Sequence, residues 1–156
     1  KFWQEHLARV IDKRWSIKDH YVIRKVDEGK LFDVGMNYQI GMKWPAKSWP
    51  WENWEELEIQ LRLEHLNTSF QGKLELEAYM NWIASCRTLV TCDSLGMHIA
   101  IAYGLNVVAL FGPTPSQEVY LYDKGVKIVG AEGKMANIQV EDVVKAVKGF
   151  HGDTKA

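Results

Sequence analysis

Cysteine is nearly absent from this chain. Cys86 and Cys92 are the only two among 156 residues, their spacing matches neither a redox pair nor a zinc set, and no His/Cys cluster accompanies them. They read as reduced, structural thiols of a cytosolic protein. Long apolar runs are missing too: none approaches the roughly 20 residues a membrane helix needs, and no signal peptide opens the chain. A formal net charge of −1 excludes bulk attraction to nucleic acid or to a membrane surface. There is no G-x-G-x-x-G, which counts against NAD binding, and no Walker lysine motif. Internal repeats and low-complexity tracts are also lacking.

What is present suits one α/β domain. The length supports a workable core, and the 47% hydrophobic share is ordinary for a globular protein. Charge is uneven, basic over residues 1–30 and acidic over residues 52–64, as solvated helix faces commonly are. The chain starts at Lys1 rather than Met and reads as a piece of a longer protein. Residues 2–15 carry Trp3, Leu7, Val10 and Ile11 on one helical face. That segment is either a connector packing on another domain or an ordinary N-terminal core helix, and residues 21–26 form a short extended edge piece. We therefore divide the chain into a connector helix and edge segment (1–30), a Rossmann-like domain (31–150) and a tail (151–156).

Residues 31–38 read as the first buried strand. The following loop holds two Trp-Pro pairs around Lys47, and Pro45 and Pro50 restrict the residues before them to extended conformations. Such a loop is stiff, so Lys47 is held in place. Four of the seven tryptophans, at positions 44, 49, 51 and 54, crowd this region and anchor it. Pro50 at a first-turn position, with acids at 52, 55 and 56, starts a helix to about residue 64, with Trp54, Leu57 and Leu61 as its inner stripe. A weak strand at 68–71 and a helix at 74–86, with Leu76, Tyr79, Met80 and Ile83 inward, come next. Beyond residue 115 we expect a short helix or turn at 117–122, a strand at 126–129 and a closing helix at 140–147, with fraying from Gly149 onward. The alternation predicts about five strands, mostly parallel, in a three-layer Rossmann-like sheet with right-handed crossovers.

The stretch between these parts holds the chemistry. An apolar strand over residues 88–92 ends on Asp93-Ser94, a helix runs on to Gly104, and a second strand (107–111) empties into Gly112-Pro113-Thr114-Pro115. Ligands of parallel α/β sheets sit at such carboxyl ends. The amides after Ser94 open a helix with unpaired donors and partial positive charge, a seat for phosphate. Ser94 is placed to cap that helix, and Gly96 leaves room for a ligand to approach the backbone. Asp93 would repel a phosphate, so its expected work is capping, pairing with a lysine or contacting hydroxyls. His98 lies one turn on, either a satisfied core residue or a ligand contact. Thr114 falls at the next strand end, within reach of the same ligand. The pattern suggests an anionic ligand at the helix start with Lys47 opposite.

The run Cys92-Asp93-Ser94-Leu95-Gly96-Met97-His98, with Val108 to Pro115 and the Lys43-Trp44-Pro45-Ala46-Lys47 loop, resembles the C-terminal half of family 9 glycosyltransferases, the bacterial heptosyltransferase family. The two motifs occur in the family's order, over roughly residues 31–122. One departure stands out: the family pattern puts glycine directly after the Asp-Ser/Thr pair, whereas here Leu95 intervenes before Gly96. The resemblance implies one half of a GT-B enzyme, binding a nucleotide-sugar donor such as ADP-heptose with no cofactor and no metal. Its acceptor would be of lipopolysaccharide type, and its place the cytoplasm, at most peripheral to the inner membrane. Carried over by residue, Lys47 contacts the donor phosphate or sugar. Asp93, Ser94, Leu95, Gly96, Met97 and His98 hold the diphosphate end, and Gly112 and Thr114 line the same site. The family's general base sits in an N-terminal Rossmann-like domain outside this chain, so the chain alone is expected to bind donor with little or no transferase activity. Two other readings remain: a non-catalytic GT-B-like domain binding a partner or glycan, motivated by Leu95 and the tryptophan-rich loop, and another nucleotide-sugar enzyme such as an epimerase.

Overall fold

The structure, a computed structural model, describes residues 28–40 and 45–152. The expected helix at 2–15, the edge piece at 21–26 and the end of the tail lie outside them. Strand β1 (Phe32–Asn37) leads through a 3-10 turn (Pro45–Lys47) into helix α1 (Trp51–Leu63). Then come β2 (Thr68–Phe70), α2 (Leu76–Ala84), β3 (Cys86–Cys92), α3 (Leu95–Ala102) and β4 (Asn106–Phe111). A 3-10 turn (Ser116–Glu118) precedes β5 (Gly125–Val129), and two more short turns precede α4 (Val140–His151).

All five strands are parallel, in the order β2-β1-β3-β4-β5. Side chains alternate across the sheet as strand geometry demands. Val34, Met36, Val90, Cys92, Val108 and Leu110 pack on one face with Trp54, Leu57 and Leu61 of α1 and Val143 and Val147 of α4. Leu89, Val107, Ala109 and Phe111 pack on the other with Ile83 of α2 and Met97, Ala100 and Ile101 of α3. The result is the expected three-layer domain, its sheet wholly rather than mostly parallel.

The α1 stripe lies where its spacing predicts: Trp54, Leu57 and Leu61 are the helix's buried residues. Pro50 takes the N-cap position, just before the first turn, which still suits a residue without an N–H. Gly104 has φ +71 and ends α3, a left-handed turn that costs glycine nothing.

Three expectations need correction. Leu76 is 60% exposed at the start of α2, so the inner stripe of that helix narrows to Ile83, with Tyr79 and Met80 half-buried. The closing helix continues through Gly149 to His151 instead of fraying. Phe150 packs against the core there, and the His151 ring hydrogen-bonds the Thr88 hydroxyl at 3.0 Å. These two tertiary contacts outweigh the poor helix propensity of glycine, about 1 kcal/mol against alanine. Strand β3 begins at Cys86, directly after Ser85, which caps the end of α2.

Candidate functional site

In this strand order the chain leaves β1 toward one side of the sheet and β3 toward the other. The carboxyl ends of these two central strands therefore form the topological switch point, where a crevice opens between diverging connections. Asn37 ends β1 and Cys92 ends β3; the residues flagged by the sequence gather around them.

Lys47 closes the 3-10 turn after β1, and its ammonium meets the Asp93 carboxylate at 2.9 Å, both side chains mostly covered. Of the three jobs expected of Asp93, pairing with lysine is the one seen. In the described part of the lysine loop, residues 45–50, the chain is anchored by specific contacts. Trp49 is 1% exposed, stands edge-on to Trp54 at 5.0 Å, and its indole N–H donates to the Ile138 carbonyl at 3.2 Å. A buried indole two residues away fixes where the Lys47 backbone runs, and Ser48 N–H closes the turn on Pro45 O at 3.0 Å.

His98, on the first turns of α3, is near enough to feel both charges. Burial holds its pKa below the ordinary histidine value, with Asp93 pulling it up and Lys47 pushing it down. It is thus a neutral imidazole at pH 7, able to donate or accept one hydrogen bond per ring nitrogen but carrying no charge. The two thiols are buried and pushed up to about 12, so they are the inert structural cysteines the composition suggested.

Ser94 occupies the N-cap position of α3 with extended backbone, yet its side chain does not cap the helix. Its Oγ turns inward and accepts from Asn37 Nδ2 at 3.0 Å. The cap expected from sequence is therefore absent, and the helix start lacks the side-chain partner that would compete with a ligand.

Gly96 is also corrected. It is buried, and a Cβ there would overlap the Tyr79 hydroxyl and the Asn37 amide nitrogen. The space that glycine leaves is filled by protein rather than held open for a ligand. Met97 is fully buried among the α3-side core residues, and its N–H donates to Ser94 O at 3.2 Å. Its side chain thus belongs to the packing of α3 on the sheet. Leu95 behaves oppositely and is 59% exposed at the mouth of the helix. Gly112 is buried with Met135 against it, the missing Cβ leaving room for Met135 Cγ, which would otherwise stand at 2.7 Å. Thr114 is half-exposed on the loop after β4, and among the described residues no hydrogen bond joins it to Lys47, Asp93 or His98. The structure thus brings Lys47, Asp93, Ser94 and His98 together and leaves Thr114 at the rim.

Sequence reasoning missed Asn37, Tyr79 and Thr91. Asn37 is wholly buried. It accepts from Tyr79 Oη at 2.6 Å and donates to Thr91 Oγ1 at 2.8 Å, its partner in the parallel register. The one signal available was an asparagine at the carboxyl end of the first buried strand.

Among the described residues no group of three or more His, Cys, Asp or Glu side chains is arranged to hold a metal ion, and no helix is long and apolar enough to cross a membrane. Grooves between α1 and α4 and along β5 lie elsewhere. They are walled by surface side chains such as Gln60, Asp142 and Lys145, so convergence of polar groups rather than depth marks the site.

Comparison with known proteins identifies the family. Lipooligosaccharide heptosyltransferase 2 of Haemophilus influenzae is 30% identical over 131 residues, 83% of this chain and 36% of that protein. Lipopolysaccharide heptosyltransferase 2 of Escherichia coli is 33% identical over 98 residues, 45% of this chain and 28% of that protein. In structure, the chain resembles E. coli heptosyltransferase WaaC bound to ADP-2-deoxy-2-fluoro heptose, with a TM-score of 0.70 and 14% identity over 94% of this chain and 54% of that one. The E. coli ADP-heptose lipopolysaccharide heptosyltransferase II superposes with a TM-score of 0.62 at 21% identity, over 94% of this chain and half (50%) of that one. The chain thus spans about a third of its curated relatives and about half of its structural ones. The model of glycosyltransferase family 9 (heptosyltransferase) matches residues 6–148, and the chain belongs to that family.

Proposed function

We propose that this chain is the donor-binding half of an inverting glycosyltransferase that uses a nucleotide-diphosphate sugar, with ADP-heptose the favoured donor and a lipopolysaccharide-type acceptor. The observation that carries the reading is the juxtaposition of Lys47 with the uncapped start of α3 at the β1/β3 switch point. A diphosphate seated there would take hydrogen bonds from the helix's first amides and the charge of Lys47. Both act most strongly on the departing nucleoside diphosphate, where negative charge grows as the glycosidic bond to phosphate breaks. Asp93 is the ion-pair partner of Lys47. It holds the Lys47 ammonium over the crevice until phosphate competes for it. Neutral His98 adds a hydrogen-bonding group without adding charge. The acceptor hydroxyl must lose its proton to a base supplied from outside these residues, in keeping with a second, N-terminal Rossmann-like domain facing the crevice in the longer protein.

Lys47 and the amides fill the charge-stabilising role by themselves, so removal of divalent ions with EDTA should leave donor affinity unchanged. Calorimetric titration with ADP, UDP and GDP tests the reading. ADP should bind most tightly, and Lys47→Ala should weaken it about 10-fold or more, the range for a hydrogen bond to a charged group. Failure of all three nucleotides to bind would contradict it. Exposed Leu95, where the resemblance implies glycine, favours a second reading as a non-catalytic binding domain. Restoring the family order with Leu95→Gly and Gly96→Leu together separates the two readings less cleanly than the titration, because Gly96 has no room for a side chain.

A further inference from the structure

The hydroxyl and amide groups beneath α3 have only one consistent hydrogen-bond direction. Thr91 Oγ1 donates its single hydrogen to the Cys92 carbonyl at 2.8 Å, so toward Asn37 it can only accept. This turns the amide nitrogen of Asn37 toward Thr91 at 2.8 Å and Ser94 at 3.0 Å. The amide oxygen faces Tyr79, whose phenol donates at 2.6 Å. Both amide hydrogens are then committed, and Ser94 Oγ receives one of them. The Ser94 hydrogen then has Thr91 Oγ1, at 3.4 Å, as its side-chain acceptor among the described residues, a long contact that a closer phosphate oxygen would displace.

We propose that Asn37 and Tyr79 are positioning residues that hold the Ser94 hydroxyl as a hydrogen-bond donor toward the diphosphate of the ligand at the α3 start. The inference rests on the donor-site reading above and adds to it how that site selects an anion. A serine left to itself would cap the helix as an acceptor, turning lone pairs toward the very amides a phosphate needs. Drawn inward by Asn37, it leaves those amides without a side-chain partner and contributes a further donor of its own. Gly96 is part of the device, because any side chain there would displace the Tyr79 hydroxyl and the Asn37 amide. Burial of Asn37 and Thr91 makes the direction between them costly to reverse, since a flipped amide would set oxygen against the Thr91 oxygen.

The test is a double-mutant cycle on the 156-residue chain, with ADP affinity measured by calorimetry up to about 10 mM and thermal melts to establish that each variant is folded. Tyr79→Phe removes the donor that holds the Asn37 amide oxygen, loosening the amide's hold on Ser94, and should weaken ADP binding about 3- to 10-fold, whereas in a Ser94→Ala background it should change affinity by less than about 1.5-fold. A merely structural role for Tyr79 would give the same loss in both backgrounds; equal losses overturn the proposal while leaving the donor-site reading intact. If the unmodified chain does not bind ADP at all, the donor-site reading fails and this inference falls with it.

Discussion

Replacing Gly96 by alanine separates two accounts of that residue. If glycine were there to let a ligand reach the backbone, alanine would leave stability unchanged or raised, since alanine is the better helix former by up to about 1 kcal/mol. The structure says otherwise, because the new methyl would overlap the Tyr79 hydroxyl and Asn37 Nδ2 and stand 3.0 Å from Asn37 Cγ. Overpacking of this kind costs roughly 1–3 kcal/mol. Forcing Tyr79 off Asn37 forfeits about 1 kcal/mol more for the hydrogen bond. Set against the propensity gain, the net destabilisation comes to about 2 kcal/mol, which for a domain of this size lowers the melting temperature by roughly 4–8 °C. Urea denaturation followed by tryptophan fluorescence or circular dichroism measures it. The loss should shrink in a Tyr79→Phe background, where half of the obstruction is gone. A Gly96→Ala chain as stable as the parent would refute the packing argument and return the glycine to a ligand role.

Other glycines differ in sign for the same kind of reason. Gly149 has open space around its Cβ position within α4, whereas at Gly130 a Cβ would overlap the backbone carbonyl of Lys134. Gly149→Ala should therefore stabilise by about 0.5–1 kcal/mol and Gly130→Ala destabilise in the same denaturation assay. Among the described residues, two half-buried histidines predict a pH dependence. Burial lowers the pKa of His98 and of His151, so the unfolded chain binds their protons more readily than the folded one. Their contribution is fully present above about pH 6.5 and is lost as pH falls through the folded-state values. The urea midpoint should drop from pH 7.5 to pH 5.5, and less steeply in a His98→Asn/His151→Asn chain; an identical drop in both would assign it to other groups.

The sequence made the architecture legible where burial is periodic. Trp54, Leu57 and Leu61 could be inward on only one face of a helix, and the strands at 88–92 and 107–111 stood out as apolar runs closed by polar or Gly/Pro corners. The order β2-β1-β3-β4-β5 was not readable, because the crossovers that set it leave no local mark. Lys47 and Asp93 could be suspected of sharing a site from chemistry, though 46 residues separate them. The network around Asn37 could not be found in this way. Its partners lie 42, 54 and 57 residues distant, and each is an unremarkable residue until the fold stacks β1 beside β3 under α3. Ser94 and Gly96 were misread for that reason: local rules make a serine before a helix its cap and a first-turn glycine a ligand space, and tertiary contacts from Asn37 and Tyr79 override both.

The central claim is that an anionic nucleotide binds at the carboxyl ends of β1 and β3. Backbone 15N–1H shifts of the chain during titration with ADP test it most directly. The account predicts that the largest changes fall on Lys47 and on residues 94–98, and that Lys47→Ala diminishes them at equal ADP concentration. Changes centred instead on the groove between β5 and α4, or no changes at saturating nucleotide, would contradict it.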